Sequence, residues 1–173
     1  MTSLGKRFLK VYYKACLNDT ESISICVINQ NNQIEGFAIG CLQSLGFHKR
    51  ILIRNFPLFL QQAIIILFER PRSLIRLILN FEKNNNRTDN GKYSELLSIA
   101  VLPKNKGLGL GKELLNKFEE IAKNKGSKKI TLTTDFYNNQ DVILFYQKNG
   151  YEIFYDFISF PERRMFKLFK ILT

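Results

Sequence analysis

The segment of this chain whose residue types and spacing could most directly do chemistry is Val101-Leu102-Pro103-Lys104-Asn105-Lys106-Gly107-Leu108-Gly109-Leu110-Gly111-Lys112. An apolar run precedes it and an amphipathic run follows, so it reads as a turn from a strand into a helix. Three alternating glycines remove the side chains that would keep a ligand from the backbone. Successive amide N–H groups are then left at the positive end of a helix dipole. Such a turn suits a pyrophosphate, and Lys104, Lys106 and Lys112 add positive charge beside it.

Two familiar phosphate motifs do not fit this turn. A P-loop needs GxxxxGK followed by Ser or Thr, and Glu113 follows Lys112 instead. A dinucleotide fingerprint needs GxGxxG, whereas the glycines here fall at 107, 109 and 111. A glycine-rich turn that binds nothing is the remaining plain reading.

A second segment, Asn139-x-x-Val142-x-x-Phe145-Tyr146-x-Lys148-x-Gly150-Tyr151, falls on a helix read from Gln140 to Asn149. The Tyr146 hydroxyl could act as a general acid. On spacing alone it could equally be a tyrosine packed beside Phe145 and Tyr151.

Taken in order, Val101-x-Pro103-x-x-Lys106-Gly107-x-Gly109-x-Gly111 with Leu114-Leu115 resembles the acetyl-CoA motif of the GNAT acetyltransferases. That family carries Arg/Gln-x-x-Gly-x-Gly/Ala. Lys106 stands at the Arg/Gln position, keeping the charge but losing guanidinium geometry. The second segment resembles the family's Asn-x-x-Ala-x-x-Phe-Tyr-x-Lys-x-Gly-Phe. Together the matches span Tyr93 to about Tyr155.

The resemblance implies acetyl-CoA as co-substrate, no metal, and direct attack of an amine on the thioester. Carried over, residues Lys106, Gly107, Leu108, Gly109, Leu110, Gly111 and Lys112 would hold the pyrophosphate. Ile99, Ala100 and Val101 would bind the pantetheine and orient the thioester, Asn139 would contact the same arm, and Tyr146 would protonate the leaving thiolate. For a general base Glu95 is the first candidate, Asp135 the second, and ordered water the alternative to both. Glu95 and Asp135 otherwise read as ordinary strand-end surface residues. His48, the single histidine, reads as structural.

The elements that must position these groups alternate. A helix is read over Leu4–Leu17, then strands over Ile23–Ile28 and Ile34–Leu42, joined by a turn that Asn31-Asn32 suits. Phe47–Phe68 and Ser73–Phe81 look helical, punctuated by Pro57 and Pro71, and Lys83–Asn90 is a polar run with nothing to bury. Strand, helix, strand, helix and strand follow at Leu96–Leu102, Gly109–Lys125, Lys129–Thr134, Gln140–Asn149 and Tyr151–Ile158, with a last strand at Met165–Ile171.

The fold class is therefore α/β: one domain over 1–173, a GNAT-like mixed central sheet flanked by helices. Residues 43–90 form a helical insertion and polar loop between the third and fourth family strands. The family's first strand is either absent or trimmed away.

Composition narrows the partners. The net charge of +11 favours anionic ones, and no nucleic-acid motif is present, so no specific nucleic acid is expected. The most apolar stretch, Phe56–Phe68, is too short for a bilayer span. Cys16, Cys26 and Cys41 lack metal-ligand spacing and read as reduced core thiols of a cytoplasmic protein. The insertion, made basic by Arg50, Arg54, Arg70, Arg72 and Arg76, could wall an acceptor pocket, make a homodimer interface or rest on a membrane. The leading expectation is an N-acetyltransferase acting on a primary amine of a small molecule, with a nucleotide-linked amino sugar as the specific guess. A protein N-acetyltransferase and a non-catalytic CoA-binding module are the alternatives.

Overall fold

The structure is a computed structural model, and it describes residues 5–69, 90–159 and 162–172. The readings that fall on Ser73–Phe81 and on residues 83–89 lie outside the described residues. The remaining elements appear close to where periodicity puts them. They are α1 (Gly5–Leu17), β1 (Ser22–Ile28), β2 (Ile34–Cys41), α2 (Phe47–Arg54), α3 (Phe56–Glu69) and β3 (Ser94–Val101), then α4 (Leu110–Asn124), β4 (Lys129–Asp135), α5 (Gln140–Lys148), β5 (Glu152–Ser159) and β6 (Arg163–Ile171).

The β1–β2 hairpin turns where its asparagines predict. Asn29 Oδ1 accepts from the amides of Asn31 (2.9 Å) and Gln33 (3.0 Å), and Asn32 takes the left-handed conformation at φ 58°. The break between α2 and α3 differs from the sequence reading. Pro57 does not interrupt a helix; it sits in the first turn of α3, where its missing N–H costs nothing. Asn55 makes the break instead. Its Nδ2 donates to the Ile51 carbonyl at 3.0 Å, closing α2, while its own carbonyl accepts from Leu58 and Phe59 to open α3. The two helices meet at 92°.

Six strands form one mixed sheet in the order β1-β2-β3-β4-β6-β5, antiparallel except for β3 against β4. Helices cover both faces. On one side α4 and α5 bury Leu114, Leu115, Phe118 and Tyr146 with Leu96, Ile130, Leu132 and Leu168 of the sheet. On the other side Phe8, Tyr12 and Cys16 of α1 pack with Phe47, Ile51, Phe59 and Ile66 of α2 and α3. Helix α4 lies close to the sheet because β2 offers it glycine. A Cβ on Gly40 would stand 2.2 Å from the Glu95 carbonyl oxygen and 2.5 Å from the Phe118 ring.

Two irregularities in this sheet create the site. Ladder bonding between β3 and β4 covers only Ser94–Leu96 against Ile130–Leu132. Beyond that, β3 runs on with β2 as far as Val101, and β4 runs on with β6 as far as Asp135. The two parallel strands therefore splay apart. At the same place the β2 register jumps from Ile39↔Ser98 to Gly40↔Leu96, which makes Leu97 the extra residue of a β-bulge. The bulge shifts the alternation, so that Leu96, Ile99 and Val101 all pack on the α4 side while Leu97 packs on the α1 side.

Candidate active site

The glycine turn sits at the open end of this splay. A short 3-10 turn, Pro103–Asn105, leads into Lys106, and Gly107 and Gly109 both take the left-handed conformation, φ 87° and 81°. Only glycine enters that region without strain. A Cβ at either position would meet nothing within 4 Å, so conformation and not crowding selects glycine there. Gly111 is different: it is helical, and its Cβ would make an ordinary 3.7 Å contact with Phe145.

Gly109 is the N-cap of α4 and supplies no side chain to it. The amides of Gly107, Gly109, Leu110 and Gly111 donate to no backbone carbonyl. They are the unsatisfied donors an anion would claim at a helix N-terminus. Not every amide of the turn is free, as the sequence reading supposed. Those of Lys106, Leu108 and Lys112 donate to the carbonyls of Pro103 (3.2 Å), Asn105 (3.3 Å) and Gly109 (2.9 Å), because the 3-10 turn and the first helical turn use them. One residue before Lys106, the Asn105 Nδ2 is buried with no acceptor among the described residues. A buried amide without a partner is costly, and a ligand oxygen at the turn would satisfy it. Nothing in the sequence singled Asn105 out.

Lys106 shares a cleft of about 780 Å³ with the loop after β4 and the first turns of α5: Phe136, Asn138, Asn139, Gln140, Asp141, Val142 and Phe145. The structure thus brings Lys106 and Asn139 together across the splay. Asn139 also has a structural task. Its Nδ2 donates to Thr134 Oγ1 (2.5 Å) and to the Asp135 carbonyl (3.1 Å), tying the start of α5 to the end of β4. Its backbone carbonyl accepts from the Ile143 amide at 3.1 Å, while its side-chain Oδ1 accepts no hydrogen bond within the described residues. Ile99, Ala100 and Val101 bond to β2 along one edge only, so their other edge faces the splay without a strand partner. An extended ligand carrying amide groups would find complementary donors and acceptors there.

Tyr146 lies behind this cleft rather than on its wall. It is 6 % exposed, with its ring edge-on to Phe145 and Tyr151. Its hydroxyl has no hydrogen-bond partner among the described residues, and burial pushes its pKa up to about 12. A phenol held protonated in this way can donate a proton and cannot accept one.

Glu95 is not the surface residue its strand-end position suggested. It is 8 % exposed and points to the α1 side, where Oε1 accepts from Lys167 Nζ at 2.6 Å and Oε2 accepts from the Ser44 hydroxyl. Burial pushes the carboxyl up, but the Lys167 ammonium and the hydrogen bonds from Lys167 and Ser44 outweigh it and hold the group below the usual range. Asp135 is likewise engaged, clasped by Arg163, whose hydrogen bonds hold its carboxyl down. Neither carboxylate is a free base. His48 lies 3.2 Å, Nδ1 to hydroxyl, from Tyr12 and stacks on its ring, in keeping with a structural role.

Around the insertion, Arg50 and Arg54 both converge on Asp19, the latter at 2.9 Å, so these guanidinium groups are spent inside the protein. Cys16 and Cys41 are buried, but Cys26 is exposed, contrary to a reading of all three as core thiols. The cause is register: Cys26 points outward from β1, between Ile25 and Val27, which pack on the core.

A splayed mixed sheet with unsatisfied helix N-terminal amides at its mouth is suited to an anionic ligand, and residues 4–151 match the profile described as the acetyltransferase (GNAT) family. The chain belongs to that family. No curated protein sequence matches it. Among solved structures it is similar to a protein assigned as a streptothricin acetyltransferase from Bacillus anthracis str. Ames, in complex with acetyl coenzyme A. The identity is 17 %, over 93 % of this chain and 68 % of the other, with a TM-score of 0.59. It is also similar to an aminoglycoside 6'-N-acetyltransferase complexed with coenzyme A, 15 % identical over 92 % and 77 % of the two chains, TM-score 0.55. The ribosomal-protein-S18-alanine N-acetyltransferase from Escherichia coli is 12 % identical over 95 % and 76 %, TM-score 0.56. At these identities the likeness is one of fold.

Proposed function

We propose that this protein transfers the acetyl group of acetyl-CoA to a primary amine of a small molecule, by direct attack of the amine on the thioester. The observation that carries the reading is the uncapped start of α4, where four undonated amides stand beside Lys106 at the mouth of the β3–β4 splay. The amides of Gly107, Gly109, Leu110 and Gly111, with Lys106, would bind the pyrophosphate. The unpaired edge of Ile99, Ala100 and Val101 would take the pantetheine amides, and the Asn139 side-chain Oδ1 would accept from the same arm. Tyr146, protonated at every physiological pH, would give its proton to the departing thiolate.

The amine must lose a proton, and Glu95 is not free to take it. Its carboxylate is ionised but committed to Lys167 and Ser44. We assign deprotonation to water. Tyr146 packs on the opposite side of the sheet, so acceptor and thiolate would use different faces of the split.

Helices α1 to α3 cover the acceptor side, which favours a small acceptor over an extended peptide. Of the insertion's five arginines, Arg50 and Arg54 are held by Asp19, so these two do not argue for a nucleotide-linked amino sugar. Simple and aminoglycoside-like amines are therefore the substrates to screen first. Calorimetric titration with acetyl-CoA, dephospho-CoA and desulfo-CoA, followed by thiol release with an amine panel, tests the reading. Binding without thiol release for any amine would leave a CoA-binding module. Turnover only with peptide N-termini would make the protein a protein acetyltransferase.

A further inference from the structure

Helix α3 buries Phe59, Gln62 and Ile66 at helical spacing, against α1 and the sheet. A helix with one face so buried ordinarily turns polar residues outward. This one does not. Leu60, Ile64, Leu67 and Phe68 form an outward stripe, 47, 50, 53 and 81 % exposed, and Ile53 at the end of α2 and Phe56 extend it. No charged residue lies between Phe56 and Phe68. Contiguous exposed apolar surface of this kind marks an interaction site.

The charge around the stripe says what it meets. Helices α1 and α2 and residues 56–68 contain no Asp or Glu. Lys6, Arg7, Lys10 and Lys14 on α1 and Lys49 on α2 are all exposed, and α1 packs on α3 through Phe8 and Phe59. A second copy docked on the same face would set these cations against their own kind. An anionic bilayer surface would neutralise them while accepting the apolar side chains between them.

We infer that the α2–α3 face docks onto an anionic membrane surface, with the α3 stripe in the headgroup–acyl boundary and the flanking cations on lipid phosphates. In this proposal the helices lie on the bilayer: no single helix among the described residues is long and apolar enough to span, and α2 and α3, which reach that length and apolarity only together, are bent by 92°. This inference does not depend on the acetyl-transfer reading, because docking is measured without any co-substrate.

The test uses the full chain with vesicles of phosphatidylcholine alone and of phosphatidylcholine mixed with phosphatidylglycerol. The wild type should co-sediment with the anionic vesicles and little with the neutral ones. Ile64→Glu with Leu67→Glu should lower that partition by about tenfold or more, even at low salt, while the circular dichroism spectrum is kept. Unchanged partition in this variant would overturn the proposal, leaving a purely ionic attraction. A wild-type dimer that the variant dissociates, without vesicle binding, would overturn it in favour of a second copy. The chain has no tryptophan, so Phe68→Trp supplies a single reporter at an exposed position. Its emission should shift to the blue and be quenched by brominated lipid on anionic vesicles; no shift would also overturn the proposal.

Discussion

Lys167 Nζ stands 2.6 Å from Glu95 Oε1, joining β6 to β3 over the intervening β4. The pair sits at the closed end of the splay, where the β3–β4 ladder stops, and both partners are buried, 5 % and 8 % exposed. Charges taken out of water in this way are stable only together. We expect Glu95→Gln or Lys167→Met alone to destabilise the fold by about 3–5 kcal/mol, and the double variant to recover a large part of that loss. Chemical denaturation of the three variants measures the coupling directly.

The same pair sets a pH dependence. The folded Glu95 carboxyl lies below its unfolded value near 4.5. Its contribution to stability is therefore complete above about pH 5 and is lost as pH falls through the folded pKa. Glu95→Gln should flatten this part of the acid limb of a stability–pH profile relative to wild type. An unchanged acid limb would mean that the buried pair does not control it.

Tyr146 should act on turnover and not on binding. Tyr146→Phe keeps the ring packing against Phe145 and Tyr151, so acetyl-CoA affinity and thermal stability should stay near wild type while kcat falls by about 10²–10⁴-fold. With the phenol pushed up to about 12, the wild-type rate should show no loss from its ionisation at any lower pH. Stopped-flow thiol release across pH compares the two enzymes.

In the turn, charge and conformation can be separated. Lys106→Gln removes a cation from an exposed position and should weaken acetyl-CoA binding by about tenfold with little change in stability. Gly109→Ala forces a side chain into φ 81° and should cost about 1–2 kcal/mol of stability as well as affinity. Calorimetry together with thermal melting distinguishes the two effects.

Gly40 should be among the least replaceable residues of the sheet. An added Cβ would collide with the Glu95 carbonyl and the Phe118 ring, so Gly40→Ala should cost about 3 kcal/mol or more, at the upper end for overpacking. The Cβ of Gly111→Ala makes only an ordinary contact with Phe145, so this helical variant should be neutral or gain about 0.5–1 kcal/mol. A melting comparison of the two checks the contrast.

What the amino-acid sequence determined by itself is local. Alternating glycines after a strand can only be a turn at a helix start, because left-handed backbone at 107 and 109 is a property of those residues and their neighbours. The same holds for the asparagine hairpin at 29–33, the apolar faces of α1 and α4, and the placing of Tyr146 one residue past Phe145 on a helix. Tertiary structure decided everything that depends on residues far apart in the chain. Glu95 looked exposed until Lys167, 72 positions away, and Ser44, 51 away, closed over it. Arg50 and Arg54 looked available until Asp19 held both. The splay and the bulge at Leu97 exist because β3 must satisfy β2 and β4 in different registers, and no periodicity within one strand records its partners' registers. The outward apolar stripe of α3 belongs to the same class, since which face of an all-apolar helix is covered depends on what packs against it.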